Sequence, residues 1–453
     1  MIVSQRRYPA DWRNHVRLLL VAVLILVGLT PEIFGSTIPL TIDDVRQRTM
    51  ESNRTYLAAR EEITRAQSEI IKARAGAFPK LDATGSYSQN FIIPSFFIQS
   101  EDETVEFKTG FKNSFGASIN LRQPLWQGGK VFTALSIAKL YRQYSQQQAE
   151  ATRTTVVYDA EILFYSAVLR KSSLVVLQKA FKAADHNAGV IRKLHSQGMV
   201  SEYEVLRAEV ERANLLPAIV RAESEVYLSE KRLKSFLGID LNDEVTLIEQ
   251  QDDTSLAGLP ALENLLDTAL STSPELQQAD LMTEIRRKAI RVARGGYYPS
   301  LDAVANYSWQ SASDDFTLKD HTSESWTAGV TVSIPIFNGG YTHGEVKQRS
   351  SEYHQAELRS AQLRDDIRLE VQQAFDQLRQ AKEALDIQAT TIAQAEEGLR
   401  IADLRYETGV GTLLEVLSAQ AALTKARDIR SEALFFFRQA RSRLKMATTF
   451  DLN

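Results

Sequence analysis

The sequence predicts an α+β membrane protein in which one structural unit occurs twice as an internal repeat. A strand-to-helix junction is present in two copies, Gln-Pro-Leu-Trp-Gln-Gly-Gly at 123–129 and Ile-Pro-Ile-Phe-Asn-Gly-Gly at 334–340. Each copy follows a run of alternating apolar and polar residues, which is typical of a β-strand. Each copy also precedes a long tract with a period of 3.6 residues, which indicates an amphipathic helix. The unit is therefore helix, strand pair and long helical hairpin.

The first 35 residues are interpreted as a signal peptide and are excluded from the fold. Four arginines precede an apolar run over residues 18–29, which has the length of a signal-peptide core and is short for a membrane span. Cleavage is expected near Gly35. The alternative is an uncleaved membrane anchor. Either interpretation predicts export of the mature chain.

Residues 36–238 form the first predicted repeat. Thr41 is expected to cap a helix that runs to about Ala75, with Asp44 completing a capping box. A β-hairpin is expected over about 80–125, with a loop at 90–112 that carries an acidic patch at Glu101, Asp102, Glu103 and Glu106. Long helices follow over about 131–237, broken near Gly198, and Pro217 is expected to interrupt and kink the second.

Residues 239–260 form a predicted connector, or equatorial segment, with a short strand near 245–248. The second predicted repeat covers 261–453. It opens with a helix in which Pro274 takes the first position. A hairpin follows over about 300–336, and long helices extend over about 341–447. These long helices are expected to pair as antiparallel coiled-coil hairpins in an α-barrel wall.

The junction residues have physical roles that suit a sharp change of direction. Proline removes a ladder hydrogen-bond donor and is tolerated at a strand end, and paired glycines permit positive φ. The candidate junction residues are Pro124, Trp126, Gly128 and Gly129 in the first copy and Pro335, Phe337, Gly339 and Gly340 in the second.

Four strands of about ten residues that alternate apolar and polar match the pattern of a transmembrane β-barrel. Four strands cannot close on themselves, because small barrels need about eight. An open sheet in lipid would leave backbone groups without hydrogen bonds. The strands must therefore be shared between chains, and three chains give a twelve-strand barrel. A soluble β-sandwich is the alternative.

These motifs resemble the TolC-type outer-membrane efflux family. The resemblance rests on the duplicated junction, on glycines at the two helix turns, and on the segment Thr-Gly-Val-Gly-Thr-Leu-Leu-Glu-Val-Leu-Ser-Ala-Gln at 408–420. It implies a homotrimer in the outer membrane of a Gram-negative bacterium, with a twelve-strand barrel in lipid continued by a periplasmic helical tunnel. The implied function is a passive exit duct for tripartite efflux or type I secretion. The implied partners are a periplasmic adaptor and an inner-membrane RND or ABC pump.

The resemblance also implies roles at the ends of the long helices. The helix turns, at Gly198 with Val200 and at Gly409 with Val410, are expected to form periplasmic tips that meet the adaptor. Both Ser201–Glu204 and Thr412–Glu415 match a capping box.

Glu415 is also a candidate for an acidic ring at the closed aperture. A second acid of related sequences is replaced here by Ser418, and Gly411 stands where some members carry a constraining arginine. Tyr406 is a candidate for compensating contacts.

Other functional classes have less support in the sequence. The chain has no cysteine, a net charge of −4, six scattered histidines and five methionines, so no metal site, cofactor site or nucleic-acid surface is predicted. We also find no P-loop, HExxH or Gly-x-Ser-x-Gly motif, and an enzyme is not expected. The remaining alternative is a periplasmic adaptor or a structural coiled-coil protein. Such a protein would carry one helical hairpin rather than two.

Overall fold

The computed structural model describes residues 38–99, 104–249, 254–256 and 259–449. The predicted signal peptide lies outside these residues, as do Glu101, Asp102 and Glu103 of the predicted acidic patch.

Helices account for most of the described chain, and two of them have 67 residues each. At about 1.5 Å per residue, each of these two is roughly 100 Å long. The helices are α1 (Ile42–Ser52), α2 (Arg54–Ala75), α3 (Lys130–Ser196), α4 (Glu202–Phe236), α5 (Leu262–Thr272), α6 (Pro274–Arg294), α7 (Tyr341–Glu407) and α8 (Leu413–Thr448). A 3₁₀ turn at Gly295–Tyr297 follows α6. Among the described helices, none combines the length and apolarity needed to cross a membrane.

The strands form one larger sheet and two small ones. They are β1 (Ile38–Leu40), β2 (Lys80–Gln89), β3 (Ser95–Gln99), β4 (Thr104–Lys108), β5 (Asn113–Gln127), β6 (Val245–Leu247), β7 (Ser300–Ser313) and β8 (Thr322–Ser333). The larger sheet has the order β2-β5-β7-β8 and is antiparallel throughout. The two predicted strand pairs are thus joined side by side through β5 and β7.

The long helices pack in pairs, and their shared cores lie near the middle of α3 and α7. One core joins β1, α1 and α4 to the α3 segment around Phe164. The other joins α5 and α8 to the α7 segment around Val371. In both cores, apolar residues of the long helix recur at helical spacing. They contact the short helices that precede the sheet strands in the chain.

The predicted single helix over 41–75 is wrong, because Asn53 divides it into α1 and α2. Asn53 has an extended backbone (φ −68°, ψ 119°), and its side chain accepts hydrogen bonds from the Thr55 and Tyr56 amides. An N-cap residue that satisfies two free amides starts a new helix. The predicted capping box at Thr41 and Asp44 and the predicted place of Pro274 at the start of a helix are confirmed. That helix does not open the second half of the chain, because α5 precedes it.

Three other local predictions are corrected. The loop at 90–112 contains the β3–β4 hairpin. Strand β5 does not end at Pro124 but continues to Gln127 past an irregularity between Pro124 and Trp126. Pro217 does not interrupt α4, which continues through this residue as one helix. The predicted strand at 245–248 is present as β6, and it pairs in parallel with β1, a partner the sequence did not indicate.

Candidate functional site: strand-to-helix junctions and helix tips

At the first junction the sheet passes directly into α3. Trp126 lies opposite Leu301 of β7 beyond the bulge. Gly128 and Gly129 follow with φ of 59° and 75°, in the left-handed region where glycine is free of strain. A Cβ on Gly128 would lie 2.6 Å from the carbonyl oxygen of Gly295, so this glycine also permits close backbone contact.

Asp302 of β7 holds this junction and was not singled out by the sequence. Its carboxylate accepts hydrogen bonds from Arg122 (Nη2 to Oδ2, 3.1 Å) and from Gln127 (Nε2 to Oδ1, 3.0 Å). Asp302 is buried although the arginine is largely exposed. A buried carboxylate with two donors fixes the register of β5 on β7 where the strand becomes a helix.

At the second junction the equivalent residues have fewer contacts. Strand β8 ends at Ser333, and Pro335 and Phe337 follow it, with the Phe337 side chain exposed. Gly339 and Gly340 again have positive φ, but an added Cβ on either would meet no atom of the described chain within 4 Å. Asn338 donates from Nδ2 to the Thr342 hydroxyl at 2.6 Å.

The helix tips are built on Gly198 and Gly409, which have φ of 73° and 76°. The Gly198 amide donates to the His195 carbonyl (2.8 Å) and the Gly409 amide to the Tyr406 carbonyl (3.0 Å). Both glycines therefore end their helices in the left-handed conformation. Val410 is exposed, whereas Val200 is half-buried.

The two tips lie together in one chain. Ala188 and Ile191 near the end of α3 pack with Ala208 of α4 and Leu413 of α8. Val200, Tyr406 and Leu417 pack against this group. We call these seven residues the tip cluster.

A cavity of about 780 Å³ lies beside the tip cluster. Its lining includes the carboxylates of Glu204, Asp403 and Glu407 together with the Tyr406 ring. The Tyr406 hydroxyl is buried and has no hydrogen-bond partner within the described part of the chain. Burial raises the pKa of this hydroxyl, and the nearby Glu204 carboxylate raises it further.

Glu415 contacts two residues, Thr412 and Arg405, at the second tip. Its amide donates to the Thr412 hydroxyl at 3.3 Å, and its carboxylate accepts from Arg405 Nε at 3.3 Å. Thr412 therefore caps α8, but the predicted capping box is incomplete, because within the described residues the Glu415 side chain accepts no hydrogen bond from the Thr412 amide. The predicted capping box at Ser201–Glu204 is wrong, because the Ser201 side chain makes no cap hydrogen bond.

Gly411 and Ser418 complete the predicted aperture residues. A Cβ on Gly411 would lie 2.8 Å from the Arg405 Cβ, so a larger residue would require the turn to shift. Ser418 is exposed on α8, about one turn after Glu415. Arg405 was missed in the sequence because it lies ten residues before Glu415, and only the tight turn brings them together. Among the described residues no group of His, Asp or Glu side chains could hold a metal ion.

The model of the family described as "Outer membrane efflux protein" matches residues 45–239 and 265–448. The chain is 22% identical over 387 residues to the probable efflux pump outer membrane protein TtgC of Pseudomonas putida, covering 84% of this chain and 77% of TtgC. It is 23% identical over 449 residues to the proteases secretion protein PrtF of Dickeya chrysanthemi, covering 93% and 89%.

The fold is similar to a crystal structure of CusC, with a TM-score of 0.75 at 17% identity, covering 90% of this chain and 91% of that one. The family match covers both halves of the chain and includes both tips and both strand pairs. The chain therefore belongs to the outer membrane efflux protein family, whose members form outer-membrane channels of export systems.

Proposed function

We propose that this chain is the exit duct of a tripartite efflux or type I secretion system and acts as a homotrimer. The observation that carries the proposal is the sheet β2-β5-β7-β8, which passes into helices of about 100 Å. Three such sheets give a closed barrel of twelve strands, and the long helices continue it as a tunnel wall.

The strand edges support sharing between chains. Within the described residues β2 and β8 each have one neighbour in the sheet, so each leaves a free ladder edge. Such an edge in lipid leaves amide and carbonyl groups unsatisfied, each at a cost of several kcal/mol. One face of the sheet carries most of the apolar residues of the four strands, among them Leu81, Ile119, Tyr307 and Val330, and the opposite face is largely polar.

The contact between β5 and β7 supplies a template for the contact between chains. Position 120 of β5 corresponds to Thr331, 211 residues later, and position 306 of β7 corresponds to Ser86, 220 residues earlier. Because Asn120 lies opposite Asn306, we expect Thr331 to lie opposite Ser86 of a neighbouring chain. By the same correspondence, the pair of Trp126 and Leu301 predicts that Phe337 lies opposite Leu81 of the neighbouring chain. The exposed second junction would then contact that chain.

The helices carry a matching apolar surface. Helix α4 carries exposed apolar residues that recur at heptad spacing. They are Tyr203, Leu206, Val210, Val220 and Tyr227. Within one chain, α8 of the second half packs against α3 of the first half. The Ser173 hydroxyl donates to Asp428 across this contact at 2.7 Å. A neighbouring α7 would cover the α4 stripe in the equivalent way.

The partners follow from the two ends of this assembly. Outer-membrane lipid surrounds the apolar sheet face, and a periplasmic adaptor joins the tips to an inner-membrane RND or ABC pump. The tips present the exposed Val410 and the acid-lined cavity. A passive duct needs no cofactor or catalytic group. One relative is named for an efflux pump and the other for protease secretion, so both kinds of export system are compatible with the family.

The absence of cysteine makes the assembly directly testable. The double variant S86C/T331C is treated in outer-membrane vesicles with a short thiol-specific bifunctional reagent. We expect covalent dimers and trimers on denaturing gels. The matched control K80C/T331C moves one thiol six residues along β2, about 20 Å away, and should give far less product.

Cross-linked species larger than a trimer, or monomer alone in properly inserted protein, would contradict the proposed assembly. For the adaptor, Val410→Glu should abolish export while the yield of cross-linked S86C/T331C trimer stays unchanged. Export that persists in this variant would rule out docking at the second tip.

A further inference from the structure

A cluster of three aromatic rings joins the two strand pairs at the end of the sheet away from the helices. Phe316, in the turn between β7 and β8, reaches back across β5 to β2. Its ring meets Tyr87 of β2 edge-on at 5.4 Å and Phe115 of β5 at 5.3 Å. Tyr87 and Phe115 are themselves a cross-strand pair with ring centroids 5.1 Å apart. The three rings thus cover one another on the apolar face of the sheet.

Further contacts hold the turn that carries Phe316 against the first strand pair. The Lys112 amide donates to Asp314 Oδ1 at 3.0 Å, and Asn113 Nδ2 donates to the Asp314 carbonyl at 3.3 Å. The His321 ring stacks on Phe111 at 4.4 Å. The β7–β8 turn therefore contacts the neighbouring strand pair at both of its ends. These contacts hold the turn in its position over β5, tilted toward β2.

The other half of the chain has an equivalent aromatic pair, but within the described residues no third ring lies over it. Tyr307 corresponds to Tyr87 and Trp326 to Phe115, and Tyr307 lies opposite Trp326 as Tyr87 lies opposite Phe115. Trp326 is 70% exposed, whereas Tyr307 is half-buried. Within the described residues, no ring contact is formed by Tyr307 or Trp326.

The chain also carries apolar residues where the missing cover should originate. Phe91 and Ile92 follow the end of β2, as Phe316 follows the end of β7. Their exposed fractions are 89% and 87%. Phe316 leans from β7–β8 toward β2. In a ring of strands the same lean carries the β2–β5 hairpin of one chain toward β8 and β7 of the next.

We propose that the Phe91–Ile92 segment of each protomer covers the Tyr307–Trp326 pair of its neighbour and forms an intersubunit aromatic latch. This inference rests on the proposed trimer, because the neighbouring β8 must lie beside β2. The occupant is a second copy of this chain rather than lipid, since the equivalent pair in the first half is covered by a side chain of the adjacent hairpin. The latch would join the three sheets at the end of the barrel opposite the tunnel.

Photo-cross-linking tests the latch. p-Benzoyl-phenylalanine replaces Phe91, and the protein is irradiated in its native outer membrane and digested for mass spectrometry. We expect covalent dimers and trimers, with the label attached to a peptide that contains Tyr307 or Trp326. The same label at Phe316 is the control for the method and should attach to the chain's own Tyr87 or Phe115 peptide without forming dimers.

The S86C/T331C pair separates failure of the latch from failure of the trimer. If this pair cross-links but the label at Phe91 attaches to lipid or to no protein, the latch is wrong and the trimer stands. If neither forms an intersubunit product, the proposed assembly fails as well. Attachment of the label to any neighbouring peptide outside β7 and β8 would also overturn the latch.

Discussion

Arg405 and Glu415 face each other across the second helix tip, with Arg405 Nε 3.3 Å from Glu415 Oε2. The pair joins the last turn of α7 to the first turn of α8. Both side chains are about half exposed, so the pair adds little to stability. Its importance lies in charge, because each Glu415 of a trimeric aperture would carry its own counterion.

This geometry sharpens the hypothesis of an acidic ring at the aperture. If three Glu415 carboxylates converge near the axis, trivalent cations added from the periplasmic side should block current through bilayer-inserted trimers. Glu415→Gln should raise the blocking concentration by about tenfold. Arg405→Gln should lower it, because the ring loses its counterions. Equal block in all three proteins would restrict Glu415 to the turn and place the constriction elsewhere.

The two tips should respond differently to loss of their N-cap side chains. Thr412→Ala removes the hydroxyl that accepts from the Glu415 amide, at a cost of about 1 kcal/mol. Hydrogen exchange at that amide should become about fivefold faster. Ser201→Ala is the matched control, since Ser201 makes no side-chain cap bond, and exchange at the Glu204 amide should not change. Similar acceleration at both sites would contradict the difference between the tips.

Adjacent glycines of the first junction should differ in their tolerance of alanine. Both have positive φ, which costs an L-residue about 1–2 kcal/mol. Gly129→Ala should show this cost alone, because its added Cβ has open space. Gly128→Ala should be more severe, because its Cβ would meet the Gly295 carbonyl oxygen at 2.6 Å. The measurement is the temperature at which extracted protein loses its compact mobility on a gel. Equal temperatures for the two variants would contradict the close contact.

A buried carboxylate fastens the first short helix to the long ones. Glu161 of α3 is 2% exposed and accepts from Arg46 Nε at 2.6 Å and from the Ser442 hydroxyl. Arg46→Ala leaves this carboxylate without its cation, so we expect about 2 kcal/mol of lost local stability. Hydrogen exchange in α1 should accelerate accordingly.

Arg400→Ala is the control for this change, because it breaks an exposed pair with Glu397 and should leave exchange in its own helix almost unaltered. The role assigned to Glu161 would be wrong if α1 exchanged at the same rate in the Arg46→Ala variant as in the parent protein.

The four main strands, the long helices and the glycine turns at their ends could all be predicted from the amino-acid sequence. These features are local, because hydrophobic period and positive-φ glycines act over a few residues. The resemblance drawn from the junctions and the second tip also indicated the family that the comparisons show.

Contacts between groups that are distant in the chain could not be predicted from the sequence and are evident only in the fold. Three such contacts join segments that are about 180 to 230 residues apart. They are the pairing of β5 with β7, the hydrogen bonds of Asp302 with Arg122 and Gln127, and the ring contact of Phe316 with Tyr87. No periodicity encodes such contacts. They depend on how the helices and strands pack, and the packing brings together side chains whose spacing in the sequence is irregular.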